Sequence, residues 1–461
     1  MLSAAVLHPP TWRSSFTPSA MRNRVGSFLL RQARAYLLDA LERGIVKGQL
    51  TIEDNEGVHV FGSSDSGGWQ ATLKVFNEDM WARIFTSYDM GFSEAYMAGD
   101  FDVSSLKGLL NIWLDNRETL SGLANTVNSV FSYYSALAIN ALGRQNHSMA
   151  RQNVEVAYNT SNEFFQTILS EEMMYSCAIW GDEENGVRGD LDGGSNAGDL
   201  EAAQHRKIHH LLRKARVRPG HRLLEIGSGW GAMAIEAAKL GCTVDTVTLS
   251  QEQLLMTEHR AREAGLQEKV RVHLCDYREL PASFADSFDA LVTCEMIEAV
   301  GARHHTEFFS MVNWALKKDT ATMVITATTQ PEHRFSYYQP DDFARHYHWP
   351  NCHLPSATSL AVAVQTAVPG RFVLESIEDH GIHYPRTLRE WGRRLEKNFH
   401  GGVVERLRER HPSLKSDAAL QAFKRKWLYM VVYAEVGYAR AYTSLHCWTF
   451  TRPENVSTVC S

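Results

Sequence analysis

The alternation of apolar and polar positions divides the chain into an opening helix, a small mixed region and a long run of strands and helices. Between Val25 and Val46, residues Phe28, Leu29, Ala33, Leu37, Leu38 and Leu41 recur at helical spacing beside Arg31, Arg34, Arg43 and Lys47, which predicts an amphipathic helix. Residues 57–62 and 69–76 read as strands, 78–87 as a helix, Gly91 to Phe101 as a packed turn, and 106–113 as the start of another helix. Residues 117–152 read as a connector. The Gly-, Asp-, Glu- and Asn-rich stretch 181–199 reads as an exposed, mobile insertion with solvated acids.

After renewed helical periodicity near Leu200, the chain runs from Leu223-Leu224-Glu225-Ile226 through Gly227-Ser228-Gly229-Trp230-Gly231 into Ala232 to Lys239. That order predicts a buried strand, a tight turn and a helix. Further strands are predicted over 242–247, 270–274, 288–294 and 320–328, with a helix over 308–316. A last strand pair over 372–378 and 381–384 precedes helical patterns over 388–396 and 423–445.

A length of 461 residues allows two or three domains, and 44% hydrophobic residues suit a globular protein. The net charge of -6 provides no broad electrostatic argument for nucleic acid, although local basic patches can still meet anionic lipid. Seven sparse cysteines without paired spacing read as buried thiols of a reducing, cytoplasmic compartment. Residues 1–23 hold Arg13, Arg22 and no acid, which fits a targeting segment or a disordered tail equally. Charges including Lys424, Arg425, Lys426, Glu435 and Arg440 argue against a spanning helix near the C-terminus. The triplets at Asn146, Asn159 and Asn455 match a glycosylation pattern but lack a secretory signal. No metal is expected.

Candidate chemistry gathers at the predicted strand ends. Glycine permits positive φ and close backbone approach at the 227–231 crossing. The loop Thr248-Leu249-Ser250 to Gln253 is rich in hydroxyl and amide groups rather than phosphate-binding charge, and the next strand ends at Cys275-Asp276. Polar groups at successive strand ends suit an adenosine-containing ligand on an open parallel sheet, against the plainer reading of a structural glycine turn. The order resembles an S-adenosylmethionine (AdoMet) methyltransferase.

More specifically, the ordered blocks Glu94 to Asp100, Tyr158 to Phe165, Met173 to Trp180, Glu225 to Gly231, Val247 to Gln253, Glu295 to Gly301, Phe343 to Ser356, His383 to Trp391 and Arg452-Pro453 resemble the cyclopropane fatty-acyl-phospholipid synthase and mycolic acid cyclopropane synthase family. The resemblance implies an α/β, Rossmann-like class I AdoMet-dependent methyltransferase fold with an additional N-terminal domain. The corresponding division is 1–48 for a tail and amphipathic helix and 49–152 for a small domain and connector. Residues 153–453 then form the catalytic domain with an acceptor-covering insertion, and 454–461 a tail.

The same resemblance implies that AdoMet is held around Tyr175, Ser176, Gly227, Gly229, Gly231, Thr248, Leu249, Ser250, Gln253 and Asp276. It implies a bound bicarbonate as general base, near Cys177, Glu298, Thr326, Thr328 and Tyr384. In that picture Cys177 offers a backbone group or a weak thiol contact, Glu298 orients the base, and Tyr384 donates to it. Many family members carry His or Gln where Thr326 stands, so the shorter threonine is a departure that leaves the product open. The implied reaction is methylene addition to cis double bonds of phospholipid acyl chains, giving cyclopropane rings. Alternatives are methyl branching of the lipid, methylation of a small acceptor such as an amine, and a noncatalytic lipid-binding role. Implied partners are unsaturated phospholipid and a peripheral membrane surface, without nucleic acid; a homodimer stays open. Arg31, Arg34 and later aromatic patches are the expected membrane-contact groups, and the aromatic-rich segments 335–338, 341–350 and 352–356 the expected acceptor cover.

Overall fold

The computed structural model describes residues 20–120 and 161–455. Readings that fall on residues 1–19, 121–160 and 456–461, including Tyr158, Asn146, Asn159 and Cys460, lie outside them, as do the side chains of Phe28 and Leu29. The first helix spans Ala20–Gly44. It buries Ala33 and Leu37 against the helix Asp79–Ala98. Arg34, expected at a membrane surface, instead pairs with Asp54 at 2.7 Å and Glu56 at 2.7 Å.

Four strands follow, β1 (Gln49–Asp54), β2 (Gly57–Gly62), β3 (Gln70–Val75) and β4 (Phe101–Val103), in the order β2-β1-β3-β4. Of these, β1 and β4 are absent from the sequence reading. The stretch Gly91 to Phe101, expected as a turn, is helical to Ala98 and then stops at Gly99. Its φ of 77° is open to glycine, and its N–H closes the last turn onto Ala95 and Tyr96. The helix Leu106–Asp115 completes this region.

The larger sheet contains β5 (Arg222–Ile226), β6 (Thr243–Thr248), β7 (Val270–Leu274), β8 (Ala290–Cys294), β9 (Thr322–Thr329), β10 (Val373–Asp379) and β11 (Ser444–Thr451). Their order is β7-β6-β5-β8-β9-β11-β10. Pairing is parallel from β7 to β9, while β11 runs antiparallel to both of its neighbours. This is the arrangement expected of the methyltransferase class, and the order reverses between β5 and β8, where such sheets leave a crevice. β8 is buried on both faces over Ala290–Thr293, which explains its apolar run Ala290-Leu291-Val292.

Two readings of the C-terminal third are corrected. Residues 381–384 do not pair with β10; they form one helical turn and start the helix Tyr384–Asn398, which has Pro385 in its first turn. The partner of β10 is β11, which the helical period assigned to 423–445 had partly absorbed; the helix itself is Asp417–Ala439. That helix packs on both Tyr384–Asn398 and Asp79–Ala98. Its Arg425 donates to the carbonyl of Phe101 at 2.7 Å, so it fastens the small sheet region to the large one.

Within 181–199 the expected exposure holds for 191–198 and for Asp182 and Glu183, whereas Glu184, Asp190 and Asp199 are held in place. Fully buried Arg386 donates to the carbonyls of Glu184 and Gly186 and to Asp199, while Arg389 and Arg393 converge on Asp190. Asp190 needs Arg389 and Arg393, and buried Glu184 needs Arg206 at 2.6 Å, because an unpaired buried carboxylate is expensive. Among the described residues six cysteines are free, and no helix is long and apolar enough to cross a membrane.

Candidate active site

The crossing after β5 gives its three glycines different tasks. Gly227, Gly229 and Gly231 have φ of 93°, 49° and 88°. The N–H groups of Gly227 and Ser228 both donate to the carbonyl of Val247, at 2.9 and 3.1 Å, which ties the turn to β6. A Cβ on Gly231 would lie 2.5 Å from Cγ2 of Thr257, so this glycine lets the helix Ala232–Lys239 seat against its neighbour. A Cβ on Gly229 meets no atom within 4 Å. Its bareness leaves room for something outside the chain.

That room is a cavity of about 810 Å³. One end is bordered by strand-end groups including Gly227, Ser228, Thr248, Leu249, Asp276 and Glu295. The other end reaches apolar side chains of the small sheet region, among them Leu41, Ile52, Leu73 and Trp81. The segment after β9 contributes Arg345, Trp349, Cys352 and Leu354 as a cover, and Tyr429, Met430 and Tyr433 complete a wall.

Eight of the ten residues expected around AdoMet line this cavity: Tyr175, Ser176, Gly227, Gly229, Thr248, Leu249, Gln253 and Asp276. Gly231 and Ser250 do not. Ser250 instead caps the helix Gln251–Glu263 by accepting from the N–H of Gln253 at 3.3 Å. Thr248 donates to Gln253 Oε1 at 2.7 Å, and Asp276 is clamped by Arg278 through contacts of 2.8 and 2.7 Å. The residues present fit a nucleoside with a charged amino-acid arm. Ser228 lines the cavity with a buried Oγ that has no protein partner among the described residues. Glu225, which accepts from Thr246 at 2.6 Å, is pushed up by burial to about 8.

Of the five residues expected around a bicarbonate, Glu298, Thr328 and Tyr384 line the cavity, whereas Cys177 and Thr326 sit behind it. The Cys177 thiol is buried, raised well above its ordinary value by desolvation, and directed to the carbonyl of Ala178 at 3.3 Å. Its N–H donates to Glu295 Oε1 at 2.8 Å. Thr326 receives the N–H of Glu295 on its carbonyl at 2.9 Å and on its hydroxyl at 3.2 Å. Its short side chain therefore serves the backbone and does not reach the cavity. Glu298 Oε1 accepts from the N–H of Thr328 at 2.7 Å, while its Oε2 is buried without a protein partner among the described residues. Burial, reinforced by the charge of Glu295, pushes Glu298 up to about 8.

The comparisons with known proteins agree with this geometry. A family model described as mycolic acid cyclopropane synthetase matches residues 145–415. A tuberculostearic acid methyltransferase of Mycobacterium tuberculosis is 32% identical over 391 residues, covering 83% of this chain and 83% of that one. The chain belongs to the cyclopropane-fatty-acyl and mycolic-acid synthase family of AdoMet-dependent methyltransferases. A cyclopropane-fatty-acyl-phospholipid synthase of Escherichia coli K12 is 29% identical over 343 residues, 74% of this chain and 81% of that one. The solved structure of a cyclopropane synthase from Mycobacterium tuberculosis has a TM-score of 0.53 at 21% identity, covering 66% of this chain and 98% of that one, and supports the fold alone.

Within this family fold, the sequence reading missed three groups. Glu295 directly follows β8, with φ of 51°, a conformation uncommon outside glycine. Its Oε2 accepts from the Tyr384 hydroxyl at 2.6 Å. Tyr438, on the Asp417–Ala439 helix, stacks on Tyr384 at 4.1 Å and shares a 2.7 Å hydrogen bond with the Thr328 hydroxyl. Lys207, buried in the helix Asp199–Lys214, donates to Ser176 Oγ at 2.6 Å. Its charge opposes the burial that raises Glu225 and Glu295. The available signal was weak: Glu295 stood inside a recognised block without a role, and Lys207 looked like any helix lysine.

Proposed function

We propose that the protein transfers a methyl group from AdoMet to a carbon of a cis double bond in a phospholipid acyl chain, leaving a branched chain that retains one unsaturation. One observation carries this reading. The loops suited to the donor open into an apolar cavity that reaches the small sheet region, with buried carboxyl groups at its polar border. AdoMet, when bound along Tyr175, Gly227, Gly229, Thr248, Leu249 and Gln253, supplies an electrophilic methyl group. The apolar walls align an acyl chain and withhold water from the positive charge that methylation places on it. An amine acceptor has its own lone pair and needs no such extended apolar wall.

Branching is supported by the tuberculostearic acid methyltransferase, which is alike over more of the chain than the cyclopropane synthase is. Ring closure is the second reading, favoured by the 29% identity to that synthase. Both outcomes require the loss of one proton. A phospholipid acceptor also requires peripheral contact with a bilayer, and Tyr337 and Tyr338, exposed by 60% and 61%, offer a surface beside the cavity's cover.

The test is incubation of the purified protein with AdoMet and cis-unsaturated phospholipid vesicles, followed by chain release and NMR of the product. Vinylic or methylene protons beside a new branch are expected. Cyclopropyl protons would select the second reading, and methylation of an amine with no change in the lipid would reject both.

A further inference from the structure

We propose that Glu295 is the proton acceptor of the reaction, a base built into the chain where a small external anion would otherwise have to sit. The proposal rests on the acyl-methylation reading above. Its own ground is the occupancy of the hydrogen-bond donors at the polar border of the cavity. The N–H of Cys177 and the hydroxyl of Tyr384, 2.8 and 2.6 Å from the two carboxylate oxygens of Glu295, are both engaged by that side chain. The N–H of Thr328 is engaged by Glu298. A separate bicarbonate would have to displace one carboxylate or the other, and would add a second anion to a buried site that already holds two carboxyl groups.

The two glutamates are not equivalent. Glu295 has a donor on each oxygen, while Glu298 has one backbone donor and one bare oxygen. When adjacent carboxyls share a site, the better-solvated member stays ionised and the other keeps the proton. Here Glu295 is the anion and Glu298 the acid. The backbone supports the assignment, because Glu295 is held at φ of 51° by the paired contacts of its N–H to Thr326, directly after β8. A strained residue held against the cavity is usual where a side chain must be aimed.

The step balances as follows. The alkene π pair forms the new carbon–carbon bond to the methyl group, the carbon–sulfur pair returns to sulfur, and the acyl chain is left with one positive charge. Glu295 takes a proton from a carbon next to that charge, and the released C–H pair forms a double bond; a proton taken from the delivered methyl closes a ring instead. The resulting carboxylic acid returns its proton to solvent with product release. Tyr384 and the Cys177 N–H are positioning groups for this base.

Two measurements on the full chain test it, one independent of turnover. In carefully degassed buffer, wild-type turnover of unsaturated phospholipid should not change when bicarbonate is added. Glu295→Gly, which suits the local φ, should lose about a hundredfold or more and regain part of that rate with bicarbonate. Glu295→Gln, close in shape, should lose as much without rescue, and S-adenosylhomocysteine binding should confirm that either variant is folded. In parallel, 13C-labelled bicarbonate followed by NMR should show no protein-dependent broadening with wild type and clear broadening with Glu295→Gly. Slowing of the wild type on bicarbonate removal, broadening with the wild type, or near-normal turnover by Glu295→Gln would each overturn the assignment. Absence of any acyl turnover would fell the functional reading, and the labelled-bicarbonate titration would still decide what occupies the site.

Discussion

The Tyr384 hydroxyl donates to Glu295 Oε2 at 2.6 Å, and the Tyr384 ring stacks on Tyr438 with centroids 4.1 Å apart. The hydrogen bond stabilises a buried anion, and the stack holds its donor still. The two contacts come from different elements, so they can be separated by mutation.

Tyr384→Phe keeps the stack and removes only the donor. Hydrogen bonds to charged groups contribute about 1.5–3 kcal/mol, so kcat should fall roughly tenfold to a hundredfold while AdoMet affinity stays within about twofold. Loss of the bond also leaves the Glu295 carboxyl more costly to ionise, so the acidic limb of the rate profile should move to higher pH. Steady-state kinetics across pH, with calorimetry for AdoMet, would check both; an unmoved limb would contradict the link.

The crossing glycines should separate stability from binding. Gly231→Ala puts a Cβ 2.5 Å from Thr257 at φ of 88°, so it should destabilise the fold by about 1–3 kcal/mol. Gly229→Ala meets no protein atom within 4 Å and carries only the left-handed backbone cost of φ 49°, about 1 kcal/mol, so it should lower the melting temperature less than Gly231→Ala and weaken AdoMet binding by filling cavity space. Thermal melts and isothermal titration distinguish the two.

Glu225 should make the fold less stable as pH rises. Its ordinary value of 4.5 is raised by burial to about 8, so between those limits the folded chain holds a proton that the unfolded chain has lost. Its contribution is fully present below pH 4.5 and is lost as pH rises through about 8. Buried His305 and His353, lowered to about 4, act in the opposite sense. The informative quantity is therefore a difference: Glu225→Gln minus wild type should gain stability steadily from pH 5 to 8, by at most ~1.4 kcal/mol per pH unit.

Asp190→Ala should be severe and Asp192→Ala nearly silent. Asp190 is fully buried at the side chain and receives Arg389 at 2.6 Å and Arg393 at 2.9 Å. Removing it takes from Arg389 its two-point partner and leaves Arg389 and Arg393 with one carboxylate each, Glu435 at 3.2 Å and Glu390 at 2.6 Å, a loss of about 3 kcal/mol. Asp192 makes only an exposed 3.5 Å contact with Arg188, a class of pair that contributes little. Denaturant titration of the two variants would test the contrast.

Much of the large sheet was legible because its strands are short, rich in apolar and β-branched residues and bounded by turn residues, and because turns at positive φ demand glycine. The errors fell where local pattern and tertiary partner disagree. The strand Ser444–Thr451 went unread, its first two residues taken into the helical pattern ending at 445, because its pairing partners, β9 and β10, lie far away in sequence. Asp190 and Asp199 looked solvated like their exposed neighbours because the arginines that neutralise them stand about two hundred positions downstream.

By itself the sequence determined the methyltransferase core, the glycine crossing and many of the polar groups at the strand-end border of the cavity, since each is written in local period, backbone permission or side-chain chemistry. Only the tertiary structure decided which carboxyl faces the reacting space as an anion. That depends on donors from two distant segments, the Cys177 N–H and the Tyr384 hydroxyl, meeting one glutamate whose own N–H is held by Thr326, and on water being excluded from the place where they meet. Hydrogen-bond supply and desolvation set the charge of a buried acid, and neither exists until the chain has folded.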